Sequence, residues 1–204
     1  MGDDETGGLP ESELSTILRD FPSVRDAEIL LEHFTTTIDA TYRTLHVPTT
    51  WGLLNQLYSD LQSGTKPSAT RLAHFLTIFA GSAFISKEPF VFESTVLQNR
   101  PRMRLAELWG RQALSLATNP PLPPSTEALQ TMMTLGHMFH QMEGVGSSFS
   151  LLYACSVQMA RILKIHRLDS PSAKEERRKN GADSIDLETK RRTWWHMVAS
   201  DWYV

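Results

Sequence analysis

Cysteine is nearly missing from this chain: Cys155 is the only one among 204 residues. No disulfide can form within it, and no site that needs several thiolates can be assembled. The opening Met1-Gly2-Asp3-Asp4-Glu5 is acidic, where a secretory leader needs a basic stretch followed by an apolar one. Gly2 with Thr6 meets the myristoylation pattern only weakly beside Asp3 and Asp4. No apolar run approaches the length of a membrane span, and no Asn-x-Ser/Thr acceptor for glycosylation occurs. These absences point to a cytosolic or nuclear protein. Missing too are a His-Glu-x-x-His helix, a Glu-x-x-His pair, a nucleophile elbow and a phosphate loop. An enzyme is therefore not expected.

The composition is that of an ordinary globular protein, with 41% hydrophobic and 21% charged residues. A compact chain of this length buries roughly 70% of its unfolded surface, enough to fold without disulfide or metal. The net charge of −3 is unevenly spread. Ten of the twenty Lys and Arg residues fall between Arg161 and Arg192, against six acids. A solvated linker explains this basic end more economically than an anionic partner.

Helical periodicity dominates. Ser23, with Asp26 three residues on, predicts a capped helix whose buried stripe runs Ala27, Leu30, Leu31, Phe34, Ile38, Tyr42 and Leu45, ending near Leu45 or His46 ahead of Pro48. Thr49 or Thr50 is the expected cap of the next, with Trp51, Leu54, Leu57, Tyr58 and Leu61 inward. After the Gly64-Thr65-Lys66-Pro67 turn, Ser68 caps a helix through Leu72, Phe75, Leu76, Phe79 and Ala83. Another follows Pro101, carrying Met103, Ala106, Trp109, Ala113 and Leu116, until four prolines between Pro120 and Pro124 stop it. Ser125 begins a helix with Leu129, Met132, Met133, Gly136 and Phe139. Ser147 or Ser148 opens one through Leu152, Cys155, Met159, Ile162 and Leu163. A polar, mobile loop is expected over residues 167–185, then a last helix from near Asp186 with Leu187, Trp194, Trp195, Val198 and Trp202 on one side. No segment alternates as a strand does. The expected fold is all-α: an irregular helical bundle or α-solenoid-like array of about eight helices. The apolar end at Trp202-Tyr203-Val204, with no stop signal, suggests a domain incomplete at its C-terminus, of reduced stability and prone to self-association.

A few clusters invite a chemical reading. His137 and His140, with Glu143 one turn on, share a helix face at metal-ligand spacing. Two imidazoles and one carboxylate from a single helix close no metal site, so structural histidines are the expectation. Gly144-x-Gly146 follows no strand and reads as a helix break, and Cys155 sits at apolar positions of its helix as an inert thiol. Asp3-Asp4-Glu5 reads as a solvated run. Lys174-Glu175-Glu176-Arg177-Arg178-Lys179 and Lys190-Arg191-Arg192 lack the aromatics and helix context of a base-reading surface.

One pair of motifs is more specific. Ala160-Arg161-Ile162-Leu163-Lys164-Ile165-His166-Arg167 is followed across a polar gap by Glu188-Thr189-Lys190-Arg191-Arg192-Thr193-Trp194-Trp195, and then by Asp201. This arrangement resembles the middle homology region of fungal zinc-cluster transcription factors, where an Ala-Arg-x-Leu-Gly-Leu-His-Arg helix end precedes Glu-x-x-Arg-Arg-x-Trp-Trp and a later Asp. Leu45-His46-Val47-Pro48-Thr49 is similar to that family's His-x-Pro turn. Lys164 departs from the pattern by standing where the family has Gly.

Residues 1–8 are expected to form a disordered acidic tail, and the resemblance implies that 9–204 form a partial regulatory domain. That domain would act in the nucleus on RNA polymerase II transcription, through co-regulators or an effector, without reading DNA itself. Zinc would belong only to a separate cysteine-rich module, and this chain would need no cofactor. The family-motif residues Ala160, Arg161, Leu163, His166, Arg167, Glu188, Arg191, Arg192, Trp194, Trp195 and Asp201 would then hold the domain together or dock a partner. On the residues alone two other readings stay open: a stand-alone helical scaffold that binds proteins, and a small-molecule-binding helical domain.

Overall fold

The computed structural model describes residues 9–180 and 183–201, apart from the side chains of Asn180 and Asp201. The acidic tail expected over residues 1–8, and the closing Trp202-Tyr203-Val204, lie outside the described residues. Among those described, the fold is all-α and contains no strand.

The chain runs α1 (Glu11–Arg19), α2 (Val24–Thr37), α3 (Asp39–Tyr42), α4 (Val47–Gln62), α5 (Ala69–Ile85), α6 (Thr95–Gln98) and α7 (Arg102–Thr118). It continues with α8 (Thr126–Glu143), α9 (Ser147–Ile162), a 3-10 turn (Ile165–Arg167), α10 (Pro171–Asn180) and α11 (Ser184–Asp201). α5 is the axle of the bundle. Every residue from Leu72 to Ala83 is buried, and α2, α7 and α8 pack around it. A helix apolar on all sides belongs at the centre of such an assembly. Small residues let its neighbours come close: a Cβ on Gly81 would stand 3.1 Å from the Phe34 ring of α2. Phe75, Phe79 and Trp109 form a run of tilted and edge-on rings through the core.

Serine side chains start the helices as the sequence implies. Ser23, Ser68 and Ser125 each accept the amide three residues on, which satisfies one of the otherwise unpaired first-turn donors. Buried polar groups then fix the connections. Asp26, wholly buried, accepts the amides of Glu93 at 2.7 Å and Ser94 at 3.2 Å. Trp109 donates its indole N–H to the Asp20 carbonyl at 2.9 Å, and Arg100 pairs with the Asp20 carboxylate at 2.7 Å. Arg71 grips Glu127 through two N–H groups at 3.0 and 3.3 Å, tying α5 to α8.

The structure departs from the sequence reading in several places. There are eleven α-helical segments among the described residues rather than about eight. α1 was not foreseen, although Ile17 is buried and Leu14 packs against the core. The first long stripe breaks at Ile38 and ends at Tyr42, because Arg43 turns left-handed at φ 53° and the Asp39 carboxylate takes the amides of Thr44 (2.8 Å) and Leu45 (3.0 Å). α4 starts at Val47, ahead of the expected Thr49 or Thr50 cap. Pro48 lies in the first turn, where its missing N–H costs nothing. Within the loop expected over residues 167–185, Pro171–Asn180 is helical. Pro opens it, Ser170 caps it by accepting the Ala173 amide at 3.3 Å, and Glu175 pairs with Arg178 and Lys179. Strong helix formers and i,i+3/i+4 ion pairs make this helix without an apolar face. Met103 and Ile162, expected inward, are exposed.

Candidate functional site

The two motifs singled out in the sequence meet at one corner of the bundle, where α11 crosses the segment that follows α9. α9 ends at Ile162 with Leu163 as its cap, and Lys164 then takes the left-handed conformation at φ 56°, ψ 24°. That is a conformation glycine adopts freely and a side chain adopts at a cost. It explains why Gly is the expected residue there. The chain reverses through the 3-10 turn, burying Ile165 to 1% exposure, and presents Asp169 to α11.

Arg191 is the hub. It donates Nε–H and Nη2–H to the two oxygens of Asp169 at 3.1 and 3.0 Å, and Nη1–H to Glu188 Oε2 at 2.7 Å. Arg192 reaches back to Glu188 Oε1 at 3.0 Å. Hydrogen bonds from Arg191 hold the Asp169 and Glu188 carboxyls below the usual carboxylate range and raise the guanidinium in return. The planar fork matches two carboxylates at once, as an ammonium would not. These groups are partly open to water, so the clamp sets the register of α11 on the turn more than it adds to global stability.

The remaining motif residues divide by depth. Ala160 is fully buried. Trp194 is half-buried against the core with its ring 6.1 Å from that of His166, whereas Trp195 points outward at 60% exposure. The two adjacent indoles therefore do not both join helices. Leu163 is half-buried, and Arg161, His166 and Arg167 lie on the surface. The Asp201 side chain is outside the described residues. Asp169 is the functional neighbour that sequence reasoning missed: one acid in a polar stretch, 22 residues from its partner, carries no local pattern.

His137 and His140 do not act together. His137 joins His196 of α11: Nδ1 lies 3.4 Å from His196 Nε2, and Nε2 lies 3.0 Å from Ser200 Oγ. Ser200 donates its hydroxyl to the His196 carbonyl at 2.8 Å, so it must accept from His137 Nε2–H, leaving Nδ1 to accept from His196 Nε2–H. Burial pushes His137 below its ordinary value and His196 down to about 4. Glu143 turns away to Arg111 at 3.4 Å. Among the described residues no three His, Cys, Asp or Glu side chains gather to hold a metal ion. With one cysteine, half-buried on α9, the residues present do not fit a zinc cluster. No described helix is long and apolar enough to cross a membrane.

Comparison with known proteins gives the corner a context. The chain is 31% identical over 203 residues, 97% of its length, to a probable transcription factor, lepB, of Aspergillus flavus, and covers 36% of that protein. It is 31% identical over 186 residues, 90% of its length, to the agnestins biosynthesis cluster transcription factor AgnL11 of Paecilomyces divaricatus, and covers 27% of it. The transcription factor TAS2 of Pyricularia oryzae is 26% identical over 87% of the chain. The chain thus spans about a quarter to a third of these relatives. No family model matches it, and no solved structure does.

Proposed function

From a chain that is homologous over most of its length to fungal transcription factors, we propose a regulatory domain that modulates RNA polymerase II transcription without reading DNA itself. The observation that carries this reading is the near-complete coverage of the chain by such relatives. Several basic residues of α10 and of the start of α11 are engaged by acids on their own helices: Glu175 with Arg178 and Lys179, Asp186 with Lys190, and Glu188 with Arg192. Each of these pairs holds a cation that a phosphate contact would otherwise use. DNA recognition would reside in a separate cysteine-rich module that carries zinc, and the domain would work in the nucleus through co-regulators or an effector. The Arg191 clamp would keep α11 in the register that a regulatory contact needs.

The test is a tethering assay in fungal cells. The chain is placed between a heterologous DNA-binding module and a heterologous activation segment, and reporter transcription is compared with the same fusion lacking it. A severalfold change in output supports the reading, and unchanged output with the fusion present at equal level contradicts it.

A further inference from the structure

The strongest feature outside the clamp is a cleft of about 410 Å³ between α3, α8, α9 and α11. Its size lies within the range of small-molecule sites. Aromatic and imidazole rings form its walls. Tyr42 faces His196 with ring centres 4.5 Å apart and His137 at 5.6 Å, while across the cleft His140 lies 5.0 Å from Phe149. Met132 and Met133 add polarizable, adaptable side chains. No charged side chain is among the described residues that line it.

The polar groups narrow the choice of ligand. With His196 Nε2–H committed to His137, the second nitrogen of the His196 ring is left as an acceptor with no partner among the described residues. An unpaired ring nitrogen in a cleft walled by ring faces suits a flat molecule that brings a hydroxyl or N–H donor. A charged ligand finds no counter-charge there, so desolvation works against it.

We propose that this cleft binds an uncharged, planar aromatic small molecule carrying at least one hydrogen-bond donor, stacked against Tyr42 and donating to His196. The site goes beyond the regulatory reading and does not depend on it. Because Tyr42 comes from α3 and His196 and Ser200 from α11, such a ligand would bridge the two elements and favour their packed arrangement.

The probe is 2-naphthol, titrated into the full chain at neutral pH by calorimetry and by saturation-transfer NMR. The expected dissociation constant is about 100 µM, reasonable for a ligand of about eleven heavy atoms. The anionic 2-naphthoate should bind at least about tenfold more weakly. Ala199→Trp, at an exposed position on the cleft wall, should abolish binding while leaving the thermal midpoint in place. His196→Phe keeps a ring but removes the acceptor and should weaken binding about tenfold. No saturable binding below about 1 mM, equal binding of naphthol and naphthoate, or wild-type affinity in both variants would each overturn the proposal.

Discussion

His74 makes the sharpest quantitative case. It lies in the middle of α5, fully buried, with Nδ1 3.2 Å from Thr131 Oγ1 on α8. The Thr131 hydroxyl donates to the Glu127 carbonyl at 2.8 Å, so it can only accept from His74, which therefore carries a proton on Nδ1. Burial depresses its pKa from 6.5 to about 4, against a smaller opposing pull from the Glu127 carboxylate. The sign follows from linkage. Below pH 6.5 the unfolded chain takes up a proton that the folded chain refuses, so this contribution is whole above that pH and drains as pH falls toward 4. Between pH 7 and pH 5 the loss comes to about 2 kcal/mol. Urea unfolding of the wild type and of His74→Asn at both pH values isolates it, because the other depressed histidines, His33, His137 and His196, titrate in both proteins and cancel. The asparagine variant should be the less stable at pH 7, and the difference should move in its favour by about 2 kcal/mol at pH 5. A difference that does not change with pH would refute the reasoning.

Three further substitutions test other parts of the fold. Lys164→Gly should raise stability by about 1 kcal/mol in denaturant melts, since φ 56° at that position suits glycine; a loss would mean that the side chain itself matters. Asp26→Ala removes the buried acceptor of the Glu93 and Ser94 amides and should cost about 1–2 kcal/mol, with Asp26→Asn recovering part of it. Trp109→Ala empties the largest fully buried side chain and removes its bond to the Asp20 carbonyl, at about 4 kcal/mol by calorimetry.

Much of this architecture was legible in the residues. Ser23, Ser68 and Ser125 mark helix starts because a serine hydroxyl three residues before an amide is a local device, complete within a few positions. The stripes of α4, α5 and α8 are likewise local, and Leu54, Leu57, Leu72, Phe79 and Leu129 are buried as their spacing implies. α10 escaped notice because its stability comes from propensity and ion pairs, so it has no apolar period to read. The Asp39 turn was invisible for a different reason: a buried carboxylate collecting amides five and six residues on leaves no periodic trace. At the candidate site the pairing of Glu188 with Arg191 and Arg192 follows from helical spacing, yet Asp169 enters only once the chain has reversed at Lys164. The cleft is still less local, since it draws Tyr42, His137 and His196 from three segments far apart in the chain.

If the proposed regulation runs through a surface whose geometry the Arg191–Asp169 clamp sets, reversing the clamp must change transcription. The direct measurement is reporter output from the tethered domain in three forms: wild type, Arg191→Glu, and the exchanged pair Arg191→Glu with Asp169→Arg. The account predicts that the single reversal returns output to that of the fusion without the domain, and that the exchanged pair restores a substantial part of the wild-type effect. Equal output from all three at equal protein level would contradict it.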